Sequence, residues 1–182
     1  MDPQRSSRYG GTVAPCDDPS PCEMGVRTGL QVCTRIEPSS IPEAGQGRFV
    51  EEFVAQGTVL RRQQMWSSNL LCFRSEQELR SKFPLPEDLA MLADFGFGAE
   101  QHEGIIMLDS PPTMVNHAVA GKGANTEFRF EGDEKLVVVT RDMAAGEEFL
   151  QNYRDQRKVD WFEAMLRNAD LISARELGET LS

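Results

Sequence analysis

The chain has 182 residues, of which 40% are apolar and 26% charged, and its formal net charge is −10. This length suits one domain with a sizeable core. No stretch approaches the roughly 18 consecutive apolar residues of a membrane span, and the start lacks the apolar segment of a secretory signal. We therefore expect an intracellular protein, nuclear or cytoplasmic, without a membrane partner. The negative charge repels phosphate backbones, so we expect no direct nucleic-acid binding.

The first part of the chain predicts little structure. Residues 1–28 are rich in Pro, Gly, Ser and Asp and lack hydrophobic periodicity, which is typical of a disordered or loosely attached tail. The four cysteines, Cys16, Cys22, Cys33 and Cys72, show no C-x-x-C spacing. We therefore expect no structural metal and no disulfide framework.

Short strands are predicted next. The alternation in LQVCTRIE (30–37) predicts a half-buried strand, and RFVEEFV (48–54) and GTVLRRQ (57–63) predict two more around a turn at Gln56-Gly57. Ser75 and Glu78 then match a capping box, which predicts a helix through Lys82. All these elements are short.

The second half of the chain continues this pattern. Pro86 suits the first turn of a helix that Gly96 ends. A strand at GIIMLD (104–109) follows, and then a hairpin, TEFRF-EGD-EKLVVVT, whose tight turn contains Gly132. The segment RDMAAGEEFLQNY turns at Ala145-Gly146 into a last short strand. Helical spacing of the apolar residues after position 158 predicts one amphipathic C-terminal helix: Val159, Phe162, Leu166, Ala169 and Ile172. The fold class is therefore mainly β with a few helices (α+β), without the βαβ alternation of a doubly wound sheet.

Four motifs occur in one order along the chain: IPEAGQGRFV, GTVL, VNHAVAGKGANTEF and RDMAAGEEFLQNY. In this order and spacing they resemble the SET-domain family of protein lysine methyltransferases, over residues 30–154. The resemblance implies a SET-type (β-clip) fold of several short β-sheets with a pseudoknot and a C-terminal helix. We therefore expect a SET-like domain over residues 29–158 and, from the apolar periodicity, a C-terminal helical extension over residues 159–182.

The resemblance also implies S-adenosylmethionine as cofactor. Its binding would involve Gly45, Gln46, Gly47 and Arg48 in the first motif, and Asn116 and His117 in the third. Glycine suits such a loop because it has no Cβ to hold a ligand away from main-chain N–H groups. An ordinary glycine turn and a satisfied core histidine remain the alternatives for these motifs.

Tyr153 is the expected catalytic residue. It falls where the family's catalytic tyrosine ends the pattern Gly-Glu-Glu-x-x-x-x-Tyr, which begins here at Gly146. Methyl transfer needs a neutral lysine amine aligned with the methyl donor, and a fixed phenol oxygen can orient that amine. No metal is required. The alternative for Tyr153 is an amphipathic residue at the rim of a strand.

The sequence departs from the family pattern in several places. Ala118 stands where Ser is usual, Ala124 where Pro is usual and Asn152 where Asp is usual, and the loop before Asn125 is three residues longer. The chain also has no cysteine after Cys72 with which to build the zinc-binding lid of many family members. An aromatic lid from Trp161 is the expected substitute, while Phe162 fits a core position better.

The leading hypothesis is therefore an S-adenosylmethionine-dependent protein lysine N-methyltransferase. Its expected partner is a Lys-containing protein or peptide, with a histone tail among the candidates. The departures from the pattern support an alternative, a catalytically weak or inactive SET-like domain that acts as a binding module. A metal-dependent enzyme or a nucleotide binder is disfavoured, because metal-ligand spacing is missing and one Gly-x-Gly is a weak signal.

Overall fold

The computed structural model describes residues 29–119 and 122–180, so the predicted tail over residues 1–28 lies outside the described residues. Within them the strands are β1 Thr34–Pro38, β2 Gln46–Val50, β3 Val59–Gln64, β4 Leu70–Phe73, β5 Gly96–Ala99, β6 His102–Asp109, β7 Asn116–His117, β8 Thr126–Glu131, β9 Glu134–Val139 and β10 Leu150–Gln151. The helices are α1 Glu76–Lys82, α2 Asp88–Phe95, α3 Asp160–Arg167 and α4 Ala174–Thr180, with a 3₁₀ helix at Tyr153–Asp155.

These strands form four small sheets in the described part of the chain. Antiparallel pairs make β1–β2 and the two three-stranded sheets β3–β9–β8 and β4–β6–β5, whereas β7 and β10 pair in parallel. The predicted hairpin is β8–β9, and Gly132 has φ +62 in its turn, as a tight turn demands. This architecture confirms the prediction of a mainly β chain with a few helices.

The capping box at Ser75 shows why some elements can be predicted locally. Oγ of Ser75 accepts from the N–H of Glu78 over 3.3 Å, and α1 ends at Lys82 as expected. The carboxylate of Glu78 reaches back to the N–H of Arg74 over 2.7 Å. Two main-chain donors that would lack partners at the helix start are thereby satisfied.

Strand β5 was not predicted, because its sequence GFGA has no alternation and Gly96 fits a helix stop. The two glycines serve close packing instead. A Cβ at Gly96 would lie 2.7 Å from the Phe162 ring, and one at Gly98 would lie 2.4 Å from the carbonyl of Arg157. The strand therefore depends on contacts with a segment some sixty residues later, which local sequence does not reveal.

The prediction of one C-terminal helix is wrong, because the chain turns between α3 and α4. Asp170 has φ +55 in this turn, and the predicted core residue Ile172 is 42% exposed. Ser173 restarts the helix, since its Oγ accepts from the N–H of Glu176 over 3.2 Å. Phe162 is a core residue as expected and is 1% exposed.

Two of the buried clusters pack the helices and the sheets together. One joins α1, α2 and α3 to the sheet β4–β6–β5 through Leu79, Leu92, Ile106 and Phe162. The other joins β2, β3 and β9 to the segment before β10 through Val50, Leu60, Val137 and Phe149.

No helix in the described ranges exceeds eight residues, so none is long and apolar enough to cross a membrane.

Candidate active site

The segment 147–151 runs between two stretches of earlier chain. On one side the N–H of Phe149 donates to the carbonyl of Arg48 over 2.8 Å. On the other side the N–H of Asn125 donates to the Leu150 carbonyl over 3.1 Å, and its Oδ1 accepts from the Leu150 N–H over 2.8 Å. The last strand thus lies between β2 and the loop after β7, which is the crossing that a pseudoknot requires.

Asn116 connects this crossing to the glycine loop. Its Nδ2 donates to the carbonyl of Gln46 and to Oε1 of Glu148, both over 2.9 Å, and to Oγ of Ser39 over 3.1 Å. Among the described residues no donor reaches its Oδ1, so that oxygen can accept from a ligand. The structure thus brings Asn116 and the 45–48 loop together.

Glu148 is the carboxylate at the centre of this cluster and is only 4% exposed. It accepts from Oγ of Ser39 over 2.7 Å, and from the N–H of Ser40 over 2.8 Å as well as its hydroxyl. Burial raises its pKa, but the hydrogen bonds from Ser40, Asn116 and Ser39 outweigh burial, so the pKa lies below its ordinary value. The carboxylate is therefore ionised at neutral pH. Glu148 therefore belongs to a buried cluster and not to a solvated strand face.

The two glycines of the loop have different roles. A Cβ at Gly47 would lie 2.1 Å from Oε1 of Glu148, so Gly47 makes room for that carboxylate. Gly45 has φ +74, in the left-handed region, and nothing lies within 4 Å of the position of a Cβ there. The space beside the loop is therefore open at Gly45 and filled at Gly47.

His117 and Tyr153 are in direct contact. The N–H of Tyr153 donates to Nδ1 of His117 over 3.1 Å, and the two ring centroids lie 5.2 Å apart. Helix α4 packs against both, since a Cβ at Gly178 would lie 3.0 Å from Cβ of Tyr153 and 3.4 Å from Cε1 of His117. Burial first and then the charge of Arg154 lower the pKa of His117 below 6.5, so the ring is neutral at pH 7.

A cavity of about 40 Å³ lies beside the Tyr153 side chain, and Phe95, Phe97 and Phe128 are in its wall. The Tyr153 hydroxyl donates to the carbonyl of Val115 over 2.5 Å. Burial, and then the charges of Asp94 and Glu148, raise the pKa of this phenol, so it keeps its proton at neutral pH. The cavity therefore combines apolar walls with one neutral, oriented hydroxyl.

A buried cluster of charges adjoins the same cavity. Oδ1 of Asp109 accepts from Nζ of Lys135 over 2.8 Å, and its Oδ2 pairs with Nη1 of Arg61 over 2.9 Å. The Lys135 ammonium also lies 4.2 Å from the ring centroid of Phe97. Burial alone raises the pKa of Asp109, but the two cations outweigh it and lower the pKa to about 2.

Two of the expected cofactor residues have other contacts. Arg48 is 4% exposed, and its side chain donates to the Thr113 carbonyl and to Oγ1 of Thr34, both over 2.8 Å. Burial first and then Arg61 lower its pKa to about 10. Nε1 of Trp161 donates to the carbonyl of Gly104 over 2.9 Å. Within the described residues, Trp161 forms no hydrogen bond or ring contact with Asn116 or His117.

The cluster around Asn116 has features that suit S-adenosylmethionine. That cofactor carries a sulfonium and an ammonium, and the site has an ionised carboxylate, Glu148, together with the available Oδ1 of Asn116. The open position at Gly45 directly precedes Gln46, whose carbonyl accepts from Asn116. These residues therefore fit a ligand that carries positive charge. In the part of the chain that the structure describes, no group of His, Cys, Asp and Glu could hold a metal ion.

Some residues of the site were missed by sequence analysis. Asn125 stands where the family pattern has its second Asn, but its structural role is not evident from the motif: it is fully buried and binds the main chain of residues 148 and 150. The sequence gives no alternation that would mark Glu148 as buried, because Phe149 and Leu150 after it are both apolar and both buried. The local sequence also does not indicate the pairing of Asp109 with Lys135.

Comparison with known proteins identifies the fold. No protein-family model matches the chain, and no curated protein matches it. Among solved structures 184 chains match. Two are SET regions of a humanized mutant of Polycomb Repressive Complex 2 from Chaetomium thermophilum, bound to the inhibitors GSK126 and GSK343. Their TM-scores are both 0.50, at 17% and 16% identity, over 70% and 77% of this chain and 16% and 17% of theirs.

A further match is CpSET8 from Cryptosporidium, with a TM-score of 0.47 and 17% identity over 69% of this chain and 59% of its own. The chain thus spans less than two thirds of the length of these proteins. The likeness to the Polycomb structures concerns the fold alone, at 16–17% identity. The chain has the SET-type fold that its motifs predict.

Proposed function

We propose that this chain is an S-adenosylmethionine-dependent protein lysine N-methyltransferase that acts on a Lys side chain of a histone or another protein. The hydrogen bond from the Tyr153 N–H to His117 carries the proposal, because it joins the proposed catalytic residue to the strand that begins at Asn116. The SET-type fold around it supports the same chemistry. We assign the activity to residues 29–158, treat residues 159–182 as a helical extension, and expect a nuclear or cytoplasmic location.

On the cofactor side, the main chain of residues 45–48 together with Asn116 and His117 holds the methyl donor. Bound S-adenosylmethionine supplies an electrophilic methyl group. The ionised Glu148 balances positive charge nearby, and the space beside Gly45 leaves room for a ligand. Arg48 contributes through its main chain, because its side chain is used within the fold. Trp161 can cover the cofactor as a lid only if its indole breaks the hydrogen bond to the Gly104 carbonyl.

On the substrate side, the cavity beside Tyr153 receives the lysine amine. Free lysine has a pKa near 10.4, so neutralising its amine at pH 7 costs about 4.6 kcal/mol. The phenylalanine walls disfavour the charged form and so lower this cost. Because the Tyr153 hydroxyl donates to Val115, its lone pairs are left to accept an N–H of the amine and orient it.

A second function, a binding module without turnover, is favoured by one observation. The Lys135 ammonium already lies over the Phe97 ring in the wall of the cavity, and the volume of that cavity is only about 40 Å³. Asn152, which stands where the family has Asp, serves as a local cap, since its Oδ1 accepts from the N–H of Arg154. With the chain's own Lys135 in the cavity wall and Asn152 used as a cap, the site would bind a partner without transferring methyl to it.

Methyl transfer from labelled S-adenosylmethionine to a histone mixture separates the two functions. The enzyme hypothesis expects label on lysine, located by mass spectrometry of the digested histones, and loss of that label in Tyr153→Phe. Binding of the cofactor or of histone peptides without any label on lysine would support the module. If the protein shows neither binding nor methyl transfer, that result would contradict both hypotheses.

A further inference from the structure

Gln156, the residue directly after the 3₁₀ helix Tyr153–Asp155, places a second polar side chain in the wall of the Tyr153 cavity. Side chains three residues apart eclipse each other in a 3₁₀ helix, and Gln156 follows Tyr153 at that spacing. The N–H of Gln156 donates to the Tyr153 carbonyl over 3.1 Å, which closes the turn. Both residues line the cavity of about 40 Å³.

The carboxamide oxygen of Gln156 is a buried acceptor without a donor. Its Oε1 is shut off from solvent, and no group of the described residues donates to it. A buried acceptor left unpaired costs free energy, so a fold keeps one most readily where a ligand supplies the missing donor. The turn from Asn152 to Gln156 is held by main-chain bonds and by the Asn152 cap, so the turn itself makes no use of this oxygen.

The other groups around the cavity indicate the kind of donor that fits. The walls are aromatic, from Phe95, Phe97 and Phe128, and aromatic faces attract cations. In the same wall the Lys135 ammonium and the Asp109 carboxylate pair with each other. An amine or ammonium at the end of an alkyl chain has both the N–H groups and the charge that these surroundings suit.

We propose that Gln156 is a substrate-binding residue whose Oε1 accepts an N–H of an alkyl amine in the Tyr153 cavity. The inference rests on the proposed function for the identity of that amine as a lysine side chain. With Tyr153 it gives the cavity two acceptors in fixed positions, which orient the amine more fully than one acceptor can. An amine that carries three methyl groups and no N–H gains nothing from Gln156.

The test measures amine binding in the absence of the cofactor, so it does not depend on turnover. The probes are n-butylammonium, which has three N–H groups, and n-butyltrimethylammonium, which has none, titrated by NMR into wild type and Gln156→Met. Methionine keeps the length of the side chain and removes the acceptor. We expect the Kd for n-butylammonium to rise at least about tenfold in Gln156→Met. The Kd for n-butyltrimethylammonium should stay the same.

Gln156→Glu is the conservative variant, and we expect it to bind n-butylammonium as tightly as wild type or more tightly. Thermal unfolding provides the control for structure: Gln156→Met should unfold at the same temperature or higher, because it removes an unpaired buried oxygen. Equal Kd values for n-butylammonium in wild type and Gln156→Met would overturn the inference, as would failure of wild type to bind it. Loss of amine binding in the variant would support it even if methyl transfer is never found.

Discussion

The main-chain N–H of Tyr153 donates to Nδ1 of His117 over 3.1 Å, although 36 positions separate the two residues. This bond requires Nδ1 to be unprotonated, because a protonated nitrogen can only donate. The position of the proposed catalytic residue is therefore linked to the protonation state of His117.

This link predicts a pH dependence. Burial and Arg154 hold the pKa of His117 below 6.5, whereas the unfolded chain titrates near that value. Between the two values the unfolded chain binds the additional proton, so the free energy of unfolding falls as pH decreases below about 6.5. NMR titration of the histidine ring signals checks this, with His102→Gln to assign them. A His117 pKa at or above 6.5 would contradict the account.

Tyr153→Phe separates a catalytic role from a structural one. The variant removes the hydroxyl that donates to Val115, so we expect the protein to lose about 1 kcal/mol of stability and still fold. Methyl transfer should slow by at least about tenfold, or about 1.4 kcal/mol of barrier, with nearly unchanged cofactor affinity. The rate should rise with pH, since only the neutral amine reacts. If the variant transfers methyl as fast as wild type, Tyr153 is a rim residue.

Gly47→Ala tests whether Gly47 makes room for Glu148. The added Cβ would lie 2.1 Å from the Glu148 carboxylate and displace it from Ser39, Ser40 and Asn116, so we expect a loss of about 2 kcal/mol. In a Glu148→Ala background the same change should cost at least about 1 kcal/mol less. Gly123→Ala is the matched control, because nothing lies within 4 Å of its Cβ position. Additive effects of the first two changes in urea unfolding would contradict the contact.

Asp109→Asn tests the buried charge cluster. The change leaves Lys135 and Arg61 with no paired carboxylate at that position, so we expect a loss of about 3–5 kcal/mol. Because the pKa of Asp109 is about 2 when folded and near 3.8 when unfolded, its stabilisation is complete above pH 4 and is lost as pH falls towards 2. Unfolding of the variant should therefore depend less on pH in that window. Glu131→Gln, in an exposed pair with Arg129, should match wild type.

An element could be predicted from the sequence when the residues that stabilise it lie close together in the chain. The helix after Ser75 and the turn at Gly132 follow from residues within four positions of each other. The segments that meet at Asn116 and Tyr153 could be recognised because their motifs occur in order. Strand β5 could not be predicted, because its glycines match side chains and carbonyls that come much later in the chain.

The hydrogen-bond and ion-pair partners of the buried polar groups could not be predicted either. Asp109 and Lys135 are 26 positions apart and pair only because β6 and β9 bring them together. Glu148 resembles a surface residue until Ser39, Ser40 and Asn116 surround it. The packing of the sheets decides which donors meet which acceptors. That packing cannot be inferred from the local patterns of one sequence.

The central claim is that Asn116 and the glycine loop form a site for S-adenosylmethionine, and calorimetric titration of the purified chain with that cofactor tests it most directly. The matched variants are Asn116→Leu, which removes the Oδ1 acceptor, and Leu177→Ala, an exposed position on α4. We expect saturable binding to wild type and to Leu177→Ala, and at least about tenfold weaker binding to Asn116→Leu. Equal affinity in all three proteins, or no binding to folded wild type, would contradict it.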